Sequence, residues 1–136
     1  MLKEETRTFL KFNSEGLDQQ DIFNDAKKSA VEAVDKFMNT WREKTGGNEY
    51  DEPMYCGFAN VKIYPARGKF IKFLKGIGIG DNGYNGGWRI SYYDIMPLDH
   101  PKRSTQSMDI KEEACDAFAD ALEKYGIKSY MESRAD

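Results

Sequence analysis

Cys56-Gly57-Phe58-Ala59-Asn60-Val61-Lys62-Ile63-Tyr64 is the stretch on which the fold turns. Ala59, Val61 and Ile63 alternate with Phe58, Asn60, Lys62 and Tyr64, the two-residue period of a strand that turns one apolar face inward. Such a face must be covered, and the chain on either side supplies two long amphipathic helices. Upstream, Ile22, Ala26, Ala30, Val34, Phe37, Met38 and Trp41 recur at spacings of three and four, which predicts a helix from Asp18 to Lys44 with Asp18 as its cap. Gly46-Gly47 stops that helix, and Asn48 to Glu52 reads as an exposed loop. Further back, Thr6 to Phe12 mixes β-branched and aromatic residues before Asn13-Ser14-Glu15-Gly16, a strand and a turn.

Downstream, Pro65 closes the strand and suits the first position of a helix. Phe70, Phe73, Leu74 and Ile77 follow at helical spacing, which predicts a short helix from Ala66 to Lys75. Six of the twelve residues from Gly76 to Gly87 are glycine, so this segment is expected to be irregular. Trp88 to Met96 alternates as a strand. Pro97 to Gln106 is a polar loop, and a second long helix starts near Ser107 or Asp109, where Asp109 and Glu112 fit a capping box. Its stripe Ile110, Ala114, Phe118, Leu122 and Tyr125 runs to Gly126, and Ile127 to Met131 fits a last strand before a polar tail from Glu132 to Asp136.

The expected architecture is a single α+β domain over residues 1–136: a small, mainly antiparallel sheet backed by two long helices, with split βαβ topology. An apolar content of 40% and an aromatic content of 13% suffice for one packed core. No apolar run approaches the length of about 20 residues that crosses a bilayer, and Met1 to Arg7 is charged where a secretory signal would turn apolar, so a cytoplasmic protein is expected. Cys56 and Cys115 lack metal-ligand or disulfide spacing.

The formal net charge of -3 conceals a polarised chain. Val61 to Arg103 holds eight basic residues against three acids, a balance of +5, and the remainder carries -8. An anionic partner would meet that middle segment first. Within it, Arg67, Lys69, Lys72 and Lys75 surround the short helix. Their plainer reading is a solvated helix face, and their functional reading is a phosphate site at the N-terminus that Pro65 would leave free. Tyr84, Trp88, Tyr92 and Tyr93 follow the glycine segment, where packing accounts for at least half of them, and the others could stack on a ring. Gly78-Ile-Gly80-Asp-Asn-Gly83 matches the dinucleotide fingerprint only in letters, because a helix precedes it where a strand is required.

His100 stands alone in Asp99-His100-Pro101, and a metal site would have to draw on Asp81, Asp94 or Asp99. Neither a nucleophile elbow beside Cys56 nor a paired-carboxylate arrangement is visible. No catalytic residue, metal or cofactor is therefore expected. Asp109, Glu112, Glu113, Asp116, Asp120 and Glu123 make the last helix acidic, a solvated face or a docking surface for a basic partner.

Cys56-Gly-Phe-Ala-Asn-Val61, Gly68-Lys-Phe-Ile-Lys-Phe-Leu-Lys75, Gly86-Gly87 and the ending Ser133-Arg-Ala-Asp136 resemble small uncharacterised proteins encoded by tailed phages. The likeness runs from Cys56 to the C-terminus, and it implies a setting, the bacterial host cytoplasm, without an activity. In that setting a small non-enzymatic protein fits an accessory or counter-defence role, and Arg134 becomes a well-placed terminal cation.

The residues together predict a homo-oligomeric binding protein for an anionic small molecule, a nucleotide signal foremost, held by Arg67, Lys69, Lys72, Tyr84, Trp88, Arg89 and Arg134. The alternative is an inhibitor that docks on a host protein through the acidic helix or the long first helix. Double-stranded DNA is disfavoured by the negative total charge and the lack of a groove-reading motif.

Overall fold

The computed structural model describes residues 19–48 and 51–136. The strand expected at Thr6–Phe12, its turn and the cap at Asp18 lie outside the described residues. Helix α1 spans Gln19–Thr45, strand β1 Gly57–Ile63, helix α2 Lys69–Gly76 and strand β2 Asp81–Asn82. Strand β3 is Trp88–Ser91, helix α3 Tyr92–Ile95, helix α4 Met108–Glu123 and strand β4 Ser129–Ala135.

The four described strands form one sheet in the order β2-β3-β1-β4, every neighbour antiparallel. That order, with α2 between β1 and β2 and α4 between β3 and β4, is the split βαβ arrangement of an α+β fold. Ala59, Val61, Ile63, Trp88 and Ile90 face the helices and are buried. Helix α4 lies on β1 and β4, and α1 packs on the outer side of α4. Because α4 is covered from both sides, Ile110, Ala114, Cys115, Phe118, Ala119, Ala121 and Leu122 are all buried. Ala26 and Ala30 let α1 approach it closely, and Phe23 meets Phe118 edge to face with centroids 6.0 Å apart. No helix among the described residues is long and apolar enough to cross a membrane.

Four elements depart from expectation. Helix α2 starts at Lys69 and not after Pro65, because Gly68 sits at φ 111°, outside helical space, so that Arg67 is left ahead of the helix. Ile71 consequently takes a buried place that Ile77, 45% exposed, was expected to hold. The strand expected over Trp88–Met96 ends at Ser91 and becomes a turn of helix, with Ser91 in the extended conformation of a cap and its Oγ 3.4 Å from Asp94 Oδ2. Helix α4 begins at Ser107, one of its two expected starts, whose Oγ accepts from the Ile110 N–H at 3.4 Å; what departs is the capping box, because Asp109 lies inside the first turn. Glu132 to Ala135 are not a tail: β4 pairs along the whole of β1, from Ser129 opposite Ile63 to Ala135 opposite Gly57.

Candidate functional site

The sheet face turned away from the helices carries a set of polar and aromatic side chains in cross-strand rows. Asp81 opposes Arg89, Arg89 opposes Lys62, and Lys62 opposes Tyr130. The next row is Ser91, Asn60 and Glu132, and the third pairs Phe58 with Arg134. A cavity of about 780 Å³ lies over this face, walled at one end by Gly78, Gly80 and Tyr84, at the other by Tyr93, Asp94 and Lys111. That volume falls within the range of about 300–1,000 Å³ usual for small-molecule sites.

The glycine segment is placed by contact with the sheet. The Gly83 N–H donates to the Gly87 carbonyl at 2.9 Å, and a Cβ at Gly83 would run into the Lys62 side chain. With the loop so close, Lys62 is only 2% exposed, with Glu132 Oε1 3.9 Å away and the Tyr64 ring centroid 5.6 Å away. Tyr64 stacks on Tyr130 at 6.0 Å and donates its hydroxyl to the Asn85 carbonyl at 3.0 Å, which ties the loop to β1.

Charges around the cavity are unevenly satisfied. Arg89 makes a forked pair with Asp81, at 3.1 and 3.0 Å, and this hydrogen bonding pushes the guanidinium pKa further up. Arg134 rests its guanidinium on the Phe58 ring, 5.5 Å from the centroid, with no carboxylate partner among the described residues. Lys111 reaches the same ring from α4, 5.1 Å from its centroid, and donates to the Gly57 carbonyl at 2.8 Å. Asn60 Oδ1 is buried without a hydrogen-bond partner on the same face.

The structure divides the sequence-derived site residues. Tyr84, 95% exposed, Arg89 and Arg134 line the large cavity. Arg67, Lys69 and Lys72 instead line a separate hollow of about 410 Å³ with Gly68, Ile71 and Lys75, which shares no residue with the first. Trp88 lines neither: it is buried on the helix side of the sheet, donates Nε1 to the Ile79 carbonyl at 3.1 Å, and carries Lys75 Nζ 5.2 Å from its ring centroid. Alternation within β3 puts Trp88 on the face opposite Arg89, so the two cannot share a ligand across that sheet.

Phe58 and Lys111 are among the cavity residues that the sequence reading missed. The signal for Phe58 was present in the β1 alternation, whereas Lys111 was hidden inside an amphipathic helix where a lysine reads as solvated. His100, the histidine weighed for chemistry, is engaged away from the cavity. His100 Nε2 lies 2.9 Å from Asp35 Oδ1, and Nδ1 accepts from the Lys102 N–H at 3.0 Å, so the ring clasps its loop to α1. Cys115 is buried, and burial pushes its thiol pKa well up, away from a reactive thiolate. The Tyr92 phenol is likewise pushed up by burial and donates to the Lys102 carbonyl at 2.6 Å.

Compared with protein-family models, with curated proteins and with solved structures, the chain matches none of them.

Proposed function

We propose that the protein binds a phosphorylated aromatic small molecule, a nucleotide foremost, in the cavity on the open face of its sheet, and that it acts by sequestration and not by catalysis. The observation that carries this reading is the pairing of Arg134 with Phe58 at one end of a 780 Å³ cavity whose far rim bears the exposed ring of Tyr84. A cation without a carboxylate partner attracts the phosphate, and an exposed ring stacks on a base. Arg89 contributes mainly to the shape of the wall, since both arms of its fork are held by Asp81.

The hollow beside Arg67, Lys69 and Lys72 is the weaker candidate, because no aromatic side chain lines it. A counter-defence role in the cytoplasm of a phage-infected bacterium, as a homo-oligomer, is the setting this reading suits. Titration calorimetry with AMP, ADP, GTP, cyclic nucleotides and the unphosphorylated nucleosides tests it. Saturable heat with the phosphorylated compounds and much weaker heat with the nucleosides is expected. Heatless injections across the panel would remove the proposal.

A second reading has its own observation. Glu113 and Asp116 on α4 hold their carboxyl pKa values up, first through burial and then through acidic neighbours, so this face bears unrelieved negative charge. A basic patch on a host protein would relieve it. Capture of one stoichiometric host partner that is lost on reversing Asp116 and Asp120 to lysine would favour this over ligand capture.

A further inference from the structure

Strand β4 closes one side of the sheet, and among the described residues no strand lies beyond it. Its ladder to β1 is bounded by two bonds of 3.1 Å: the Tyr64 N–H donates to the Lys128 carbonyl, and the Asp136 N–H donates to the Cys56 carbonyl. Backbone groups alternate between the two sides of an antiparallel strand. Residues 130, 132 and 134 therefore turn theirs to β1, whereas Met131, Ser133 and Ala135 turn theirs outward. Ser133 and Ala135 are exposed. The edge is thus a row of backbone donors and acceptors that an extended chain can take up.

Acidic side chains overhang this edge on the helix side of the sheet. Ser133 Oγ donates to Glu112 Oε2 at 2.5 Å, and Ser129 Oγ donates to the Ala119 carbonyl at 3.1 Å, so α4 runs back along β4. Asp116 is exposed one turn beyond Glu112 on the same side of α4, and Asp120 follows one turn further on. None of the three carboxylates has a basic partner among the described residues.

We infer that β4 takes up an extended basic segment of a partner protein as a further strand, with lysine or arginine at every second position turned toward Glu112 and Asp116. The inference rests on the second reading above, in which the acidic face of α4 is the docking surface, and it supplies the mode of docking. Bonds to the outward backbone of Met131, Ser133 and Ala135 would give a hold that depends little on sequence, and the acids would choose the sequence. Because a strand turns alternate side chains to opposite faces, only every second incoming residue comes under α4 and needs charge. A second copy of this chain suits the edge poorly. Pairing β4 with itself about a two-fold axis would bring Glu112 and Asp116 of both copies to one seam, like charge against like.

The probe is an acetylated, amidated peptide that alternates lysine with threonine, about eight residues long and so within the usual length of a strand. Its counterpart alternates glutamate with threonine. Both are titrated into the full chain by calorimetry, and amide hydrogen exchange is followed with and without the lysine peptide. The lysine peptide is expected to bind roughly tenfold or more tightly than its counterpart, and to slow exchange of the Met131 and Ser133 amides by roughly tenfold or more. Ser133→Pro removes an outward N–H and leaves the bonds to β1, so it is expected to lose roughly tenfold or more of the affinity for the lysine peptide. Binding of the lysine peptide with both amides exchanging at unchanged rates would overturn the inference and leave the acidic docking surface standing. A folded Ser133→Pro with wild-type affinity would do the same. Should that variant fail to fold, the exchange rates of the wild type decide alone. A wild type that binds neither peptide, or both equally, removes the acidic docking surface and this inference together.

Discussion

Gly83 sets how near the glycine segment can lie to the sheet. Its missing side chain is what allows the loop to cover Lys62, so a methyl group there must displace either the lysine stem or the loop itself. Gly83→Ala is expected to destabilise the fold by about 1–3 kcal/mol, as overpacking does, and to expose Lys62. Gly76→Ala is the natural control, because that glycine ends α2 with no atom within 4 Å of the added methyl and a backbone that needs no positive φ. Thermal melting of the two variants checks this: matching melting temperatures would show that the loop does not rest on Lys62. The same loop explains why Trp88 misleads at this scale. An aromatic beside cations and glycines reads as a stacking platform, yet its neighbour Ile79 supplies a carbonyl that its indole takes inside the core.

On α4 the acidic face opposes its own ionisation. With the carboxyl pKa values of Glu113 and Asp116 raised, the folded chain keeps protons on them at pH values where the unfolded chain has released them. Their penalty is absent below the unfolded values, grows as pH rises through the window between unfolded and folded values, and is complete above it. Asp116→Asn, which removes like-charge contacts with Glu112 and Asp120, is therefore expected to stabilise at neutral pH and low salt, by about 0.2–0.5 kcal/mol per pair. The gain should vanish in acid and shrink in high salt, and melting curves across pH with no gain at neutrality would contradict it. Elements also mark the limit of what sequence made legible. Periodicity located α1, β1 and α4 because each keeps one period over its whole length. It failed where the period changes within a few residues: Ser91-Tyr-Tyr-Asp94, a serine followed three residues later by an acid, was the overlooked sign that β3 turns into a helix. It failed again at Glu132–Ala135, where polar composition suggested a tail and only the pairing with β1 makes a strand.

Folding undoes much of the polarisation seen along the chain. Lys102 goes to Glu52 and Lys62 toward Glu132, both acids from outside the middle segment, so its +5 does not survive as one surface. A candidate site assembled from neighbours in sequence was therefore divided in space, with α2 and its cations beside one hollow and the sheet face beside another. The salt dependence of AMP affinity should accordingly follow Arg134 and not Lys72. Arg134→Ala is expected to flatten it and to weaken binding on the order of 1 kcal/mol, discounted for exposure, while Lys72→Ala leaves both unchanged. Equal salt slopes for wild type and Arg134→Ala would place the phosphate elsewhere. One bond has a further use for the whole molecule. The indole of Trp88 is tied to Ile79, one residue from Gly78 and Gly80 in the cavity wall, and the only other tryptophan, Trp41, sits far along the chain on α1. In a Trp41→Phe background, the colour of the ultraviolet emission becomes an unlabelled gauge of whether that wall has moved, so occupancy of the cavity can be followed by light alone.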